Sequence, residues 1–190
     1  MTDSDWPVAL RGVTESVVTT EGPNGEWNAA ALGLRDGEPA TAETWGRTRT
    51  RRNFERTGRG YVQFTRDPRL FVEAALAVHE TDDPVLPAAD AWVRVEVERL
   101  DAGAREGTAW ASWALRPVET DVRRERVPTT NRGFAAVVEA TVAASRLGVD
   151  AYDDDELRAR LDYFTEIART CGGTAERAAI ERVCDLVGGA

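Results

Sequence analysis

The apolar residues change their period once along this chain, and that change constrains the fold more than any other feature. Up to about residue 128 they recur at every second position, most clearly in WVRVEVERL (92–100), where Val93, Val95 and Val97 alternate with Arg94, Glu96 and Glu98. Such alternation belongs to a strand with one face buried. Beyond it the spacing becomes helical. Phe134, Val137, Val138, Thr141 and Val142 share a face that stops at Gly148. Leu157, Leu161, Phe164, Ile167 and Cys171 follow a capping box, Asp153 and Glu156, and end at Gly172-Gly173. A third stripe, Ile180, Val183, Cys184 and Val187, starts from Thr174. Strands followed by about three helices predict an α+β chain.

The strand half contains several short candidates. Residues 13–20 and 26–34 flank Asn24-Gly25, the dipeptide that best suits a type I′ hairpin turn. Residues 41–48 and 60–64 are two more, and TAWASWALRPV (108–118) is the expected antiparallel partner of 92–100 across the loop DAGAREG. A short helix interrupts the set at DPRLFVEAALAV, with Asp67 as N-cap, Pro68 as first helical residue, and Leu70, Phe71, Ala74, Ala75 and Val78 at helical spacing. Short antiparallel strands around one inserted helix predict a small barrel.

Composition excludes several function classes. With 33 acidic residues against 24 basic ones the formal net charge is -9, and every basic residue is arginine. A lysine-free acidic chain fits a high-salt cytoplasm or GC-rich codons, and its surface repels phosphate backbones, so nucleic acid is an unexpected partner. No apolar run reaches the roughly 20 residues of a membrane span, and MTDSDWPVAL lacks the features of a signal peptide, so a cytoplasmic protein is expected. Cys171 and Cys184 lie in helical patterns as buried thiols, and the single histidine, His79, suits a helix end or surface position. One histidine and two separated cysteines provide neither a metal site nor a Ser-His-Asp triad, so no catalytic residue and no metal ligand is assigned.

Two stretches stand out from this background. In the strand after the turn, Asn28, Ala29, Ala30 and Ala31 stand where bulky β-formers are expected, leaving little side chain to pack. Then TWGRTRTRRNFERTGRG (44–60) gathers six arginines, at positions 47, 49, 51, 52, 56 and 59. If a strand ends near residue 49, Thr50 caps a short helix closing at Gly58, and its free N-H groups beside Thr48 and the arginines make an anion site suited to a phosphate. The same arginines equally suit ion pairs with neighbouring carboxylates. Spacing alone leaves both readings open.

The order of these segments, from VTESVVTT and NAAALG through TRTRRNFERTG, FTRDPRLFVEAAL and NRGFAAVVEA to YFTEIARTCGGTAERAA, resembles an uncharacterised archaeal family of the FMN-binding split-barrel superfamily, which includes flavin reductases and pyridoxine 5′-phosphate oxidases. The resemblance covers nearly the whole chain. It implies an antiparallel split β-barrel with a short inserted helix and a C-terminal segment of about three helices. The corresponding domains are residues 1–125, the FMN-binding barrel, and 126–190, a helical subdomain packed on the barrel or on a dimer partner. It implies FMN lying against Asn28, Ala29, Ala30 and Ala31, its phosphate held by Arg47, Thr48, Arg49, Thr50 and Asn53, with Asn131 and Arg132 as further contacts. A homodimer with flavin near its interface is implied too. Related sequences often place proline after NAA, where this chain has Ala31. The function so implied is a flavin reductase-like oxidoreductase using a soluble electron donor and a small-molecule substrate. The alternatives are a flavin-binding module without turnover, for storage, sensing or assembly, and an enzyme taking a phosphorylated or pterin-like metabolite in the same cleft.

Overall fold

Each period-two stretch forms a strand in the computed structural model, which describes residues 6–105 and 107–188. The strands are β1 (Val13–Glu21), β2 (Trp27–Arg35), β3 (Ala40–Trp45), β4 (Arg59–Phe64), β5 (His79–Thr81), β6 (Ala91–Arg105) and β7 (Thr108–Val122). Their order is β1-β4-β6-β7-β3-β2, and β2 pairs back onto β1, so six antiparallel strands close a barrel. Between β3 and β4 stands α1 (Arg49–Thr57).

The barrel is not evenly closed. β2 meets β3 at only two positions, Leu34 opposite Ala42 and Arg35 opposite Thr41, while its other end, Trp27 to Ala29, pairs with β5. Ala30 to Gly33 therefore pair on the β1 side alone among the described residues, which leaves a seam where β2 and β3 part.

Alternation sets the interior. Val18, Leu32, Leu34, Ala42, Val62, Val93, Val95, Trp113 and Leu115 form its core, and Phe54 of α1 joins them, its ring 5.3 Å from that of Trp113. The one polar atom of Trp113 is satisfied, since Nε1–H donates to Thr44 Oγ1 at 2.9 Å. The β1–β2 connection differs from the expected two-residue turn. Gly25 N–H donates to Gly22 O, so Pro23 and Asn24 take the central positions, and Gly25, at φ 84°, follows them before β2 begins. Pro23 is preset for the first of those positions, which favours the longer loop.

The helices are α2 (Pro68–Leu76), α3 (Arg132–Ala144), α4 (Asp154–Cys171) and α5 (Thr174–Gly188). The expected caps are in place: Asp67 accepts from Arg69 and Leu70 N–H, and Asp153 accepts from Asp155 and Glu156 N–H. The chain forms two compact units, one made of residues up to Arg66 with His79–Glu125, the other of Asp67–Val78 with residues from Arg126 onward. The helix inserted between barrel strands thus belongs to the helical unit, where Val72 lies fully buried with Val137, Ala140, Leu157, Ile180 and Val183. Glu73 of α2 receives a two-pronged bond from Arg182 of α5 at 2.8 and 3.3 Å.

Candidate functional site

The helix that opens the arginine-rich segment starts two residues earlier than expected. Thr48, not Thr50, is its N-cap: Thr48 Oγ1 accepts from Arg51 N–H at 3.2 Å, while Gly58 ends the helix at φ 63°. Starting the helix at Arg49 turns Thr50 inward, where it is 4% exposed, and puts no acidic residue in the first turn to neutralise the helix end. The structure therefore has the anion-favouring helix terminus but assigns its two threonines different roles.

The six arginines divide between the two open readings. Arg49 pairs with Glu80 of β5 at 2.6 Å, Arg51 with Glu55 at 3.2 Å, and Arg59 with Glu21 at 2.8 Å. Arg52 and Arg56 donate instead to the backbone carbonyls of Arg47 and Glu21, which leaves their charges without a carboxylate. The exposed Arg47 guanidinium has no hydrogen-bond or ion-pair partner among the described residues. Among the described residues, three of these arginines have a carboxylate partner and three do not.

Arg49 ties this helix end to the alanine strand, because Glu80 is the cross-strand neighbour of Asn28. Asn53 makes a second tie: its Nδ2 donates to Thr20 Oγ1 at 3.0 Å and to Thr20 O at 3.3 Å, and Thr20 lies opposite Asn28 on β1. Asn53 is 5% exposed and braces α1 against the barrel with this amide. Asn28 is 6% exposed, yet neither its amide nor the Thr50 hydroxyl has a hydrogen-bond partner among the described residues. These two polar side chains keep their polar atoms open to solvent at one end of the barrel, and between them they can donate to and accept from a polar ligand.

The three alanines are not equivalent. Ala30 shares the inward face with Leu32 and Leu34 and packs at the margin of the barrel core. Ala29 points the other way and is 2% exposed, set between Thr19 and His79, and Thr19 bonds to Pro84 O, so that surface is covered. Ala31, half-buried on the outward face, borders the seam. His79, expected at a helix end or surface, is the first residue of β5, a strand of three residues too short to show a period. The tryptophans also separate: Trp113 is core, Trp27 and Trp92 flank Tyr61 at 5.4 and 5.7 Å, and Trp45 and Trp110 hold the Arg105 guanidinium at 5.5 and 6.0 Å. In the helical unit Asn131 is the N-cap of α3, accepting from Gly133 and Phe134 N–H at 2.7 and 3.2 Å, and Arg132 is exposed beside it. Among the described residues no three His, Cys, Asp or Glu side chains gather as a metal site, and no helix is long and apolar enough to cross a membrane.

Comparison with known families matches residues 14–124 to the N-terminal domain of DUF447, a protein family of unknown function, and residues 131–185 to a second DUF447 model. The chain belongs to the DUF447 family. Among solved structures, an FMN-bound DUF447 protein from Methanosarcina mazei is 25% identical, with a TM-score of 0.78 over 93% of this chain and 96% of its own. The flavin reductase HpaC complexed with NADP+ (16% identity, TM-score 0.44, 60% of this chain and 81% of its own) and a styrene monooxygenase flavin reductase from Pseudomonas putida (15%, 0.44, 62% and 93%) are more distant. The resemblance read from the segment order, to an uncharacterised archaeal family with a split barrel, is thereby established, and DUF447 membership spans both the barrel and the helices.

Proposed function

We propose that this chain binds FMN and works as a flavin reductase-like oxidoreductase with a soluble electron donor. The observation that carries the proposal is its similarity, over nearly the full length of both chains, to an FMN-bound protein of the same family. The residues present suit the group. The first turn of α1, free of acidic residues and flanked by Arg47 and Arg52, is matched to a dianionic phosphate, and Asn28 and Thr50 are unpaired polar groups for the ribityl or ring atoms. Asn28 offers two N–H donors and one acceptor, the combination a flavin edge requires.

FMN supplies hydride and electron chemistry through its ring, which is why a chain without a catalytic triad can serve as an oxidoreductase. The tasks of this chain are to neutralise the phosphate, orient the ring at the seam beside Ala31, and keep Arg49 directed by Glu80. Asn131 and Arg132 are proposed as further contacts, and the homodimer implied by the sequence resemblance belongs to the same reading.

The test is a comparison of FMN with riboflavin. FMN binding should turn the protein yellow, and riboflavin should bind more weakly by at least about tenfold, the equivalent of one charge-assisted hydrogen bond. Arg47→Ala should reduce that preference without altering riboflavin affinity. Equal affinity for the two flavins removes the phosphate assignment. Anaerobic mixing of the FMN-loaded protein with reduced nicotinamides should bleach the flavin absorbance; absence of bleaching favours a binding module over an enzyme.

A further inference from the structure

A second site lies wholly within the helical unit. There a half-open pocket of about 460 Å³, within the range of roughly 300–1,000 Å³ typical of small-molecule pockets, is lined by Leu76, Leu147, Leu186 and Val187 together with Ser145, Asp154 and Arg158. Its position follows from the helix ends. α2 stops at Leu76, α3 at Ala144 and α5 at Gly188, while α4 starts at Asp154, so three helix C-termini meet one N-terminus around the space.

The charges there are unusual. Asp154 and Arg158 are four residues apart on α4 and so share a face, a spacing that commonly gives an ion pair. They form none. Asp154 Oδ1 instead accepts from Gly148 N–H at 2.9 Å, which orients the carboxylate and leaves its second oxygen without a bond, and Arg158 has no hydrogen-bond or ion-pair partner among the described residues. A pocket open to solvent, with leucine and valine side chains among its lining, thus has at its edge one fixed anion and one exposed cation without a protein partner among the described residues. A hydrocarbon ligand leaves both charges unanswered, a carboxylic acid answers Arg158 but faces Asp154, and an amine does the reverse. A molecule with both charges on one carbon and an apolar body satisfies all three surfaces. The partial negative ends of α2, α3 and α5 add attraction for the ammonium.

We infer that this cavity binds a small apolar α-amino acid. Its side chain lies among Leu76, Leu147, Leu186 and Val187, its carboxylate meets Arg158, and its ammonium meets Asp154 and the nearby helix carbonyls. The site uses no residue of the flavin proposal and stands independently of it.

Isothermal titration of the full chain with leucine, 4-methylpentanoate and 3-methylbutylamine tests this, because the last two keep the isobutyl body and remove one charge each. Leucine should bind, and each analogue should bind more weakly by about tenfold or more, as expected for loss of a charge-assisted bond. Glycine, which lacks the apolar body, should give no heat. Arg158→Ala, at an exposed position, should reduce leucine binding to the level of the amine, and Asp154→Asn, which keeps an acceptor for Gly148, to the level of the acid. Circular dichroism checks that both variants fold, and if either does not, the analogue series on the unaltered chain decides. No leucine binding at millimolar concentration, either analogue binding as tightly as leucine, or an unchanged affinity in folded Arg158→Ala overturns the assignment.

Discussion

Asn28 of β2 and Asn53 of α1 are both buried, and their hydrogen bonding separates the structural role of Asn53 from the binding role proposed for Asn28. Asn53 has its amide on Thr20, so Asn53→Ala should leave the Thr20 carbonyl and hydroxyl short of a donor and cost about 1–3 kcal/mol in urea unfolding. Asn28 has no partner to lose, so Asn28→Ala should change stability by less than about 0.5 kcal/mol while weakening FMN binding. Loss of stability in both variants alike would contradict that division. A surface counterpart is the α4–α5 bridge, where Arg169 donates to Glu181 at 2.9 and 3.2 Å. The hydrogen bond from Arg169 holds the Glu181 carboxyl below its ordinary range. Its contribution is therefore present above that range and disappears as the pH falls through the depressed value. Glu181→Gln should lower the melting temperature slightly near neutral pH, and the difference should vanish in acid. The effect is small because both side chains are about half exposed.

Local signals were most legible where an element is long enough to repeat. WVRVEVERL, the Asp67-Pro68 start and the Asp153 box each carry their own cap or period, and β6, α2 and α4 form where these signals stand. β5 carries no such signal, since three residues contain no period, and it forms because β3 diverges from β2 and leaves an edge to be paired. The shift of the α1 cap from Thr50 to Thr48 has a similar origin. Both threonines suit a cap, and only the burial of Phe54 against Trp113 selects the helical phase that turns Thr50 inward. Elements also meet where a glycine permits it. A Cβ at Gly133, in the first turn of α3, would stand 2.3 Å from Gly172 Cα at the end of α4. Gly133→Ala should therefore force the two helices apart and destabilise the helical unit by about 1–3 kcal/mol or more, read as a loss of helical circular dichroism at lower urea.

At the scale of the whole molecule, the helical unit is discontinuous in sequence. Val72 is fully buried in its core, so a fragment of residues 126–190 lacks part of its own interior. That fragment should show weaker and less cooperative helical melting than one in which residues 67–78 are joined to it by a flexible linker. Equal melting of the two would mean that α2 is dispensable. The phosphate-binding potential of the barrel was legible as a cluster of arginines and a run of alanines, but not its division of labour. By itself the sequence determined which of the longer segments become strands or helices, where most of them start, and that the chain is α+β, because period and capping act between residues a few positions apart. Only the tertiary structure decided that Arg47 is unmatched while Arg49 is paired, that Ala29 is covered while Ala31 borders a seam, and that α2 packs with the helices it precedes by more than fifty residues. Those outcomes depend on which distant residue arrives beside each side chain, and no local rule carries that information.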